Sequence, residues 1–131
     1  MEDLYRDNII DHYKNPQFRG TLEPNDIHFE DDNPLCGDHI AISLRLDSNG
    51  RVSEARFDGK GCAISQAAAD LLVESIHGKT VDQIKKLTRQ DVLDLLGIEL
   101  GPVRLKCALL PLKVLKAGVY GLGEANDELV E

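Results

Sequence analysis

The 131-residue chain predicts an α+β domain, a small antiparallel sheet of about three strands with helices packed on one face. Three observations carry this: apolar alternation from His39 to Asp47, turn chemistry at Asp47-Ser48-Asn49-Gly50, and a change to helical spacing from Ala63 onward. A chain of this length supports one modest core, so residues 1–131 read as a single domain.

Residues 3–15 read as a first helix, with Leu4, Ile9, Ile10 and Tyr13 near helical spacing and acidic residues in the first turn, where the helix dipole favours them. Asn15-Pro16 ends it, because a residue before proline is pushed out of helical geometry. Gln17 to Asn25 reads as loop and Ile27 to Glu30 as a short strand. In the next strand Ile40, Ile42, Leu44 and Leu46 alternate with His39, Ala41, Ser43 and Arg45, giving one apolar and one solvent face. Asn49-Gly50 suits the positive φ of a tight hairpin, and Arg51 to Asp58 returns as the partner strand.

The period then lengthens. Ile64, Ala67, Ala68, Leu71, Leu72 and Ile76 stripe a helix over Ala63 to His77, with Gly78 where a glycine cap belongs. Thr80-Val81-Asp82-Gln83 is a capping box that opens a short helix to about Leu87, and Thr88-Arg89-Gln90-Asp91 opens another to Leu96, stopped by Gly97. Pro102, followed by Val103, Leu105, Ala108, Leu109, Leu112, Leu115 and Val119, marks a last helix over about Val103 to Ala117, broken at Gly118. About 124–131 is an acidic stretch expected to be flexible.

At 42% apolar and 29% charged residues, the composition is that of a soluble globule rather than a disordered chain. No apolar run reaches the roughly 18 residues of a membrane span. The acidic start Met1-Glu2-Asp3 lacks the basic-then-apolar order of a secretory signal, so the expected location is the cytoplasm. A net charge of −8 argues against a nucleic-acid partner, which clustered Lys and Arg would serve.

Three cysteines cannot all pair within one chain, and a reducing compartment disfavours disulfides, so free or metal-bound thiols are expected. Each lies at an element boundary: Cys36 before the alternating strand, Cys62 where the hairpin meets a helix, Cys107 early in the last helix. Gly37 allows a sharp bend between Cys36 and Asp38, so both side chains could face one ion. Gly59 and Gly61 would allow close approach to a cluster, and a helix N-terminus at Cys62 favours its thiolate. Three thiolates and one carboxylate suit zinc or an iron–sulfide core. The oxygen is a poor match in softness, hence the easier bond to release. Taken singly, Cys107 among Leu105, Ala108 and Leu109 reads as a small buried hydrophobe, and Asp38 as a turn residue.

Asn33-Pro34-Leu35-Cys36-Gly37-Asp38, Gly59-Lys60-Gly61-Cys62-Ala63-Ile64-Ser65 and Pro102-Val103-Arg104-Leu105-Lys106-Cys107 resemble the three cysteine motifs of the IscU/SufU/NifU family of iron–sulfur cluster assembly scaffolds. The likeness runs from about Leu4 to Gly121. It implies an α+β scaffold, not an enzyme with its own turnover, that accepts sulfur from a cysteine desulfurase and iron from a donor. A labile [2Fe-2S] cluster would be built on Cys36, Asp38, Cys62 and Cys107 and passed to apo-proteins, the chain being a monomer or a cluster-bridged dimer. Cys36, Cys62 and Cys107 are the candidate persulfide acceptors. The alternative within the same family is a zinc-dependent SufU-type sulfur acceptor, a sulfurtransferase that stimulates a desulfurase, with Zn2+ on the same four residues.

Two departures mark a mixed form. Lys106 stands where IscU members carry histidine; SufU members carry lysine there, but also a long insertion for which the span from Cys62 to Cys107 is too short. A protonated lysine cannot ligate a metal, so Lys106 is expected to pair with Asp38 or with the Cys107 thiolate and favour sulfur transfer. Leu100-Gly101-Pro102-Val103-Arg104 is similar to the Leu-Pro-Pro-Val-Lys stretch that binds an Hsp70-type chaperone, but Gly101 and Arg104 depart from it, which argues against chaperone docking. His12, His28 and His77 read as surface or packing histidines, and His39 as pointing away from Asp38. Tyr5 and its helix serve either the core or, by the resemblance, a desulfurase.

Overall fold

The computed structural model describes residues 2–33, 37–121 and 127–130. Helix α1 (Glu2–Lys14) leads into three strands, β1 (Ile27–Asn33), β2 (Asp38–Leu46) and β3 (Val52–Lys60). Four helices follow, α2 (Ala63–Ile76), α3 (Val81–Lys85), α4 (Arg89–Leu96) and α5 (Pro102–Tyr120), and then a 3-10 turn over Asp127–Val130. The strands form an antiparallel sheet in the order β1-β2-β3.

Alternation in β2 decides which face is covered. Ile40, Ile42 and Leu44 face inward with Phe57 and Ala55 of β3, all 2% exposed or less. α5 packs on β1 and β2, and α2 on β3. The resulting apolar cluster joins these strands to Leu72, Val73, Ile76, Leu110, Leu112 and Leu115. At about 25 cal/mol per Å2 of buried apolar surface, this face is the main source of stability.

Both threonine starts fold as capping boxes: Thr80 accepts from the Gln83 N–H, and Thr88 from that of Asp91, with each partner side chain returning to the cap backbone. Gly97 closes α4 in the left-handed region at φ 70°. Lys116 is buried to 9% exposure and donates to the Leu87 carbonyl at 2.6 Å, tying α5 to the segment between α3 and α4.

Three expectations are corrected. Strand β1 continues to Asn33 instead of stopping at Glu30, because every residue from Ile27 to Asn33 finds a partner on β2. Helix α5 runs through Gly118 to Tyr120. A Cβ at Gly118 would lie 3.1 Å from Ile27 Cγ2 and 3.3 Å from Phe29 Cβ, so this glycine allows helix and sheet to close up rather than ending the helix. At the far end of the described chain, Val130 is buried in the core cluster and Leu129 packs against it. At Gly78 φ is 85°, but its N–H goes to Val52 of β3 instead of capping α2. Among the described residues, no helix is long and apolar enough to cross a membrane.

Candidate metal centre

The site lies at one end of the sheet. Asp38 opens β2 opposite Asn33, the last residue of β1, and β3 ends at Lys60, opposite His39. Two residues on, Cys62 is the N-cap of α2, with extended backbone angles of −70° and 162°. Cys107 comes from the second turn of α5.

Asp38, Cys62 and Cys107 offer three potential ligand atoms that all lie within 4.8 Å of one another. Asp38 is fully buried and Cys107 is 2% exposed, whereas Cys62 is half-buried. A buried carboxylate needs partners, and Asp38 finds both at Cys62: the backbone N–H donates to Oδ1 at 2.8 Å, and the thiol faces Oδ2 at 3.6 Å. The thiol contact is the weak one, leaving Oδ2 available to a cation.

Gly61 makes the approach possible. Its φ is 145°, and a Cβ there would sit 2.0 Å from Asp38 Oδ1. The expectation that Gly59 serves the site is corrected: its missing Cβ clears the His39 carbonyl across the hairpin, at 1.9 Å. Gly37 takes φ 67°, the bend expected of it immediately before Asp38.

Cys36 lies outside the described residues. Of the thiols expected to be free or metal-bound, Cys62 is free, whereas Cys107 is held in a disulfide. Cys107 must take up electrons and return to the thiolate before it can coordinate.

The pairing expected between Lys106 and Asp38 does not form: both carboxylate oxygens face Cys62, and Lys106 is exposed with no ion pair among the described residues. Consecutive helical residues point about 100° apart, so burying Cys107 turns Lys106 outward. His39 does face away from Asp38, toward Asp32.

An open cleft of about 620 Å3 reaches both sulfurs, lined among others by Ile9, Ile64, Ile98, Val103 and Arg104. Helix α1 forms one wall and is fixed by His12, which takes the packing role of the two read for it, through Asp70, which sequence reasoning passed over. His12 Nδ1 lies 2.5 Å from Oδ2 of Asp70, a fully buried carboxylate on α2 whose Oδ1 accepts the Phe18 N–H at 2.9 Å. The available signal was Asp70 itself, a charge following Ala67-Ala68-Ala69 on an apolar helix. Tyr5 packs against Gly97, where a Cβ would meet its ring at 2.1 Å. Gln66, one turn into α2 from Cys62, is 3% exposed, and neither polar atom of its amide has a partner among the described residues.

Comparison with known proteins gives a consistent picture. Residues 4–127 match the family model described as NifU-like N terminal domain. The chain is 35% identical over 136 aligned positions to the zinc-dependent sulfurtransferase SufU of Bacillus subtilis, covering 91% of each. That alignment is longer than the part of this chain it covers, so the relative carries segments that this chain lacks. Identity is 30% to the iron-sulfur cluster assembly scaffold protein IscU of Escherichia coli, over 88% of this chain and 91% of the relative. Among solved structures, a putative iron-sulfur cluster assembly scaffold for the SUF system from Fervidobacterium islandicum superposes with TM-score 0.75 at 28% identity, covering 86% of this chain and 93% of that one. A NifU-like N-terminal protein from Brucella abortus shares the fold with TM-score 0.72 at 19% identity, covering 91% and 94%.

Proposed function

Because this chain belongs to the NifU-like N-terminal domain family, we propose that it is an iron–sulfur cluster assembly scaffold that builds a labile [2Fe-2S] cargo on Cys36, Asp38, Cys62 and Cys107. The observation that carries the reading is the gathering of Asp38, Cys62 and Cys107 within 4.8 Å, from three elements remote in sequence. We read residues 1–131 as one domain of cytoplasmic location, acting as a carrier rather than as an enzyme with turnover of its own.

The residues divide the work. Cys62, half-buried and lining the cleft, is suited to attack the outer sulfur of a desulfurase persulfide. Its thiolate forms a new S–S bond, the old S–S bond breaks, and the desulfurase thiolate leaves, with no net redox change. Conversion of that sulfur to sulfide takes two further electrons from an external donor. Asp38 supplies a hard oxygen to an otherwise sulfur-rich set, so its bond to a thiophilic cargo is the one that yields during transfer. The cleft offers room for a partner's segment beside both sulfurs, and the partners implied are a cysteine desulfurase and recipient apo-proteins.

A second reading has a specific observation in its favour, the 35% identity to a protein named a zinc-dependent sulfurtransferase. The same ligands would then hold Zn2+ and receive sulfur without building a cluster. Anaerobic reconstitution of the reduced chain with iron, cysteine and a desulfurase separates the two. A coloured species that moves to an apo-ferredoxin supports the scaffold. Retained zinc with stimulated desulfurase supports the sulfurtransferase, and no metal with no sulfur uptake rejects both.

A further inference from the structure

We propose that His28, Glu30 and His39, on the solvent face of the sheet, form a second cation site for a borderline divalent transition ion such as Co2+, Zn2+ or Fe2+. His28 and Glu30 alternate along β1 and so share a face, and His39 stands on β2 opposite Asp32. His28 Nε2 is 3.0 Å from Glu30 Oε2, and His39 Nε2 is 3.5 Å from Oε1 of the same carboxylate. Two imidazoles therefore bring their outer nitrogens to one acid, the residue types of a 2-His-1-carboxylate set, although as they stand the three ligand atoms do not all lie within 4.8 Å of one another.

The far sides of the rings are anchored as metal-binding histidines require. His28 Nδ1 meets Ser43 Oγ at 2.9 Å, and His39 Nδ1 meets Asp32 Oδ1 at 2.6 Å. Such a second contact fixes ring orientation and raises ligand basicity. His39 is the telling residue, since it faces a carboxylate at each nitrogen. A neutral imidazole has one N–H and satisfies only one of them; a second proton, or a cation at Nε2 with Nδ1–H donating to Asp32, satisfies both, and the cation is the case that Co2+ titration tests.

Charge and space agree. With neutral imidazoles, Glu30 and Asp32 together carry the charge that a divalent ion offsets. Nearby Asp58 is held by Arg19 at 3.4 Å, and Lys60 borders the hollow from β3. The rings contact different oxygens of Glu30, so a cation must draw the two Nε2 atoms inward. Side chains 38% and 30% exposed, lining a hollow of about 350 Å3, have the freedom to move. Nitrogen donors select against Mg2+ and Ca2+.

The test is titration of the reduced full chain with Co2+, above the usual histidine pKa, read by imidazole proton NMR and by absorption. The expected result is large paramagnetic shifts of the His28 and His39 rings, lost in His28→Ala and in His39→Ala. Asp32→Asn should weaken that binding about 10–100-fold while leaving the ligands in place. Ring signals unmoved by excess Co2+, or a Co2+ affinity unchanged in both histidine variants, would overturn the proposal. Sulfur-to-cobalt charge transfer reports the cysteine centre separately, so ring shifts without that band support this site and count against the proposed function alone.

Discussion

Asp38 and Cys62 hold each other through backbone and side chain: the Cys62 N–H donates to Asp38 Oδ1 at 2.8 Å, and its Sγ lies 3.6 Å from Oδ2. This pairing joins the start of β2 to the N-cap of α2, and it places a buried oxygen beside a half-buried thiol. The carboxylate is thus set in position by the backbone before any metal arrives, and the function rests on that arrangement.

Gly61→Ala tests whether this arrangement is needed. A Cβ would stand 2.0 Å from Asp38 Oδ1 on a backbone with φ 145°. Strain of about 1–3 kcal/mol is expected, with loss of bound metal greater than the stability loss explains. Denaturant unfolding and zinc content of the same preparation check it; full zinc retention would show that Asp38 can shift without consequence.

Asp38→Cys replaces the hard ligand with a fourth thiolate. The expected outcome is tighter holding and slower release of Zn2+ to a chelator, because a closed all-sulfur site lacks the bond that yields. Stopped-flow chelator kinetics measure it, and faster release would contradict the role given to the oxygen.

His12→Ala removes the partner of a carboxylate with no exposure. About 1–3 kcal/mol of stability should go, since Asp70 Oδ2 stays buried without its hydrogen bond. Hydrogen exchange should rise first in α1, which buries Ile9 but leaves Leu4 and Ile10 exposed. Protection in α1 equal to that of the unsubstituted chain would refute the clasp.

Lys116 gives a pH signature. Burial lowers its pKa below the ordinary 10.5, with Asp91 opposing the shift. Between the lowered value and 10.5 the unfolded chain binds the extra proton, so stability rises with pH across that window and is flat well below it. In Lys116→Met this contribution disappears. The unsubstituted chain should therefore gain on the variant as pH climbs toward 10.5, measured by urea midpoints; a constant or shrinking difference would be contrary.

Much of the fold was legible because its signals are local. The alternation around Ile40, Ile42 and Leu44 needs only the period of a strand, and Thr80 with Gln83 or Thr88 with Asp91 needs only three residues of context. Gly118 misled because its role is tertiary: the glycine admits Ile27 and Phe29 of a strand far earlier in the chain. His12 and Asp70 are 58 positions apart, and nothing in either neighbourhood names the other. At the site, the residue types were readable from the motifs, but the outward turn of Lys106 followed from which face of α5 is buried.

The most direct test of the central claim is X-ray absorption at the zinc edge on the reduced, zinc-loaded chain. The account predicts a first shell dominated by sulfur at about 2.3 Å, with one lighter oxygen neighbour from Asp38. A shell of oxygen and nitrogen alone would mean that Cys62 and Cys107 do not meet at a metal, and the assignment would fall.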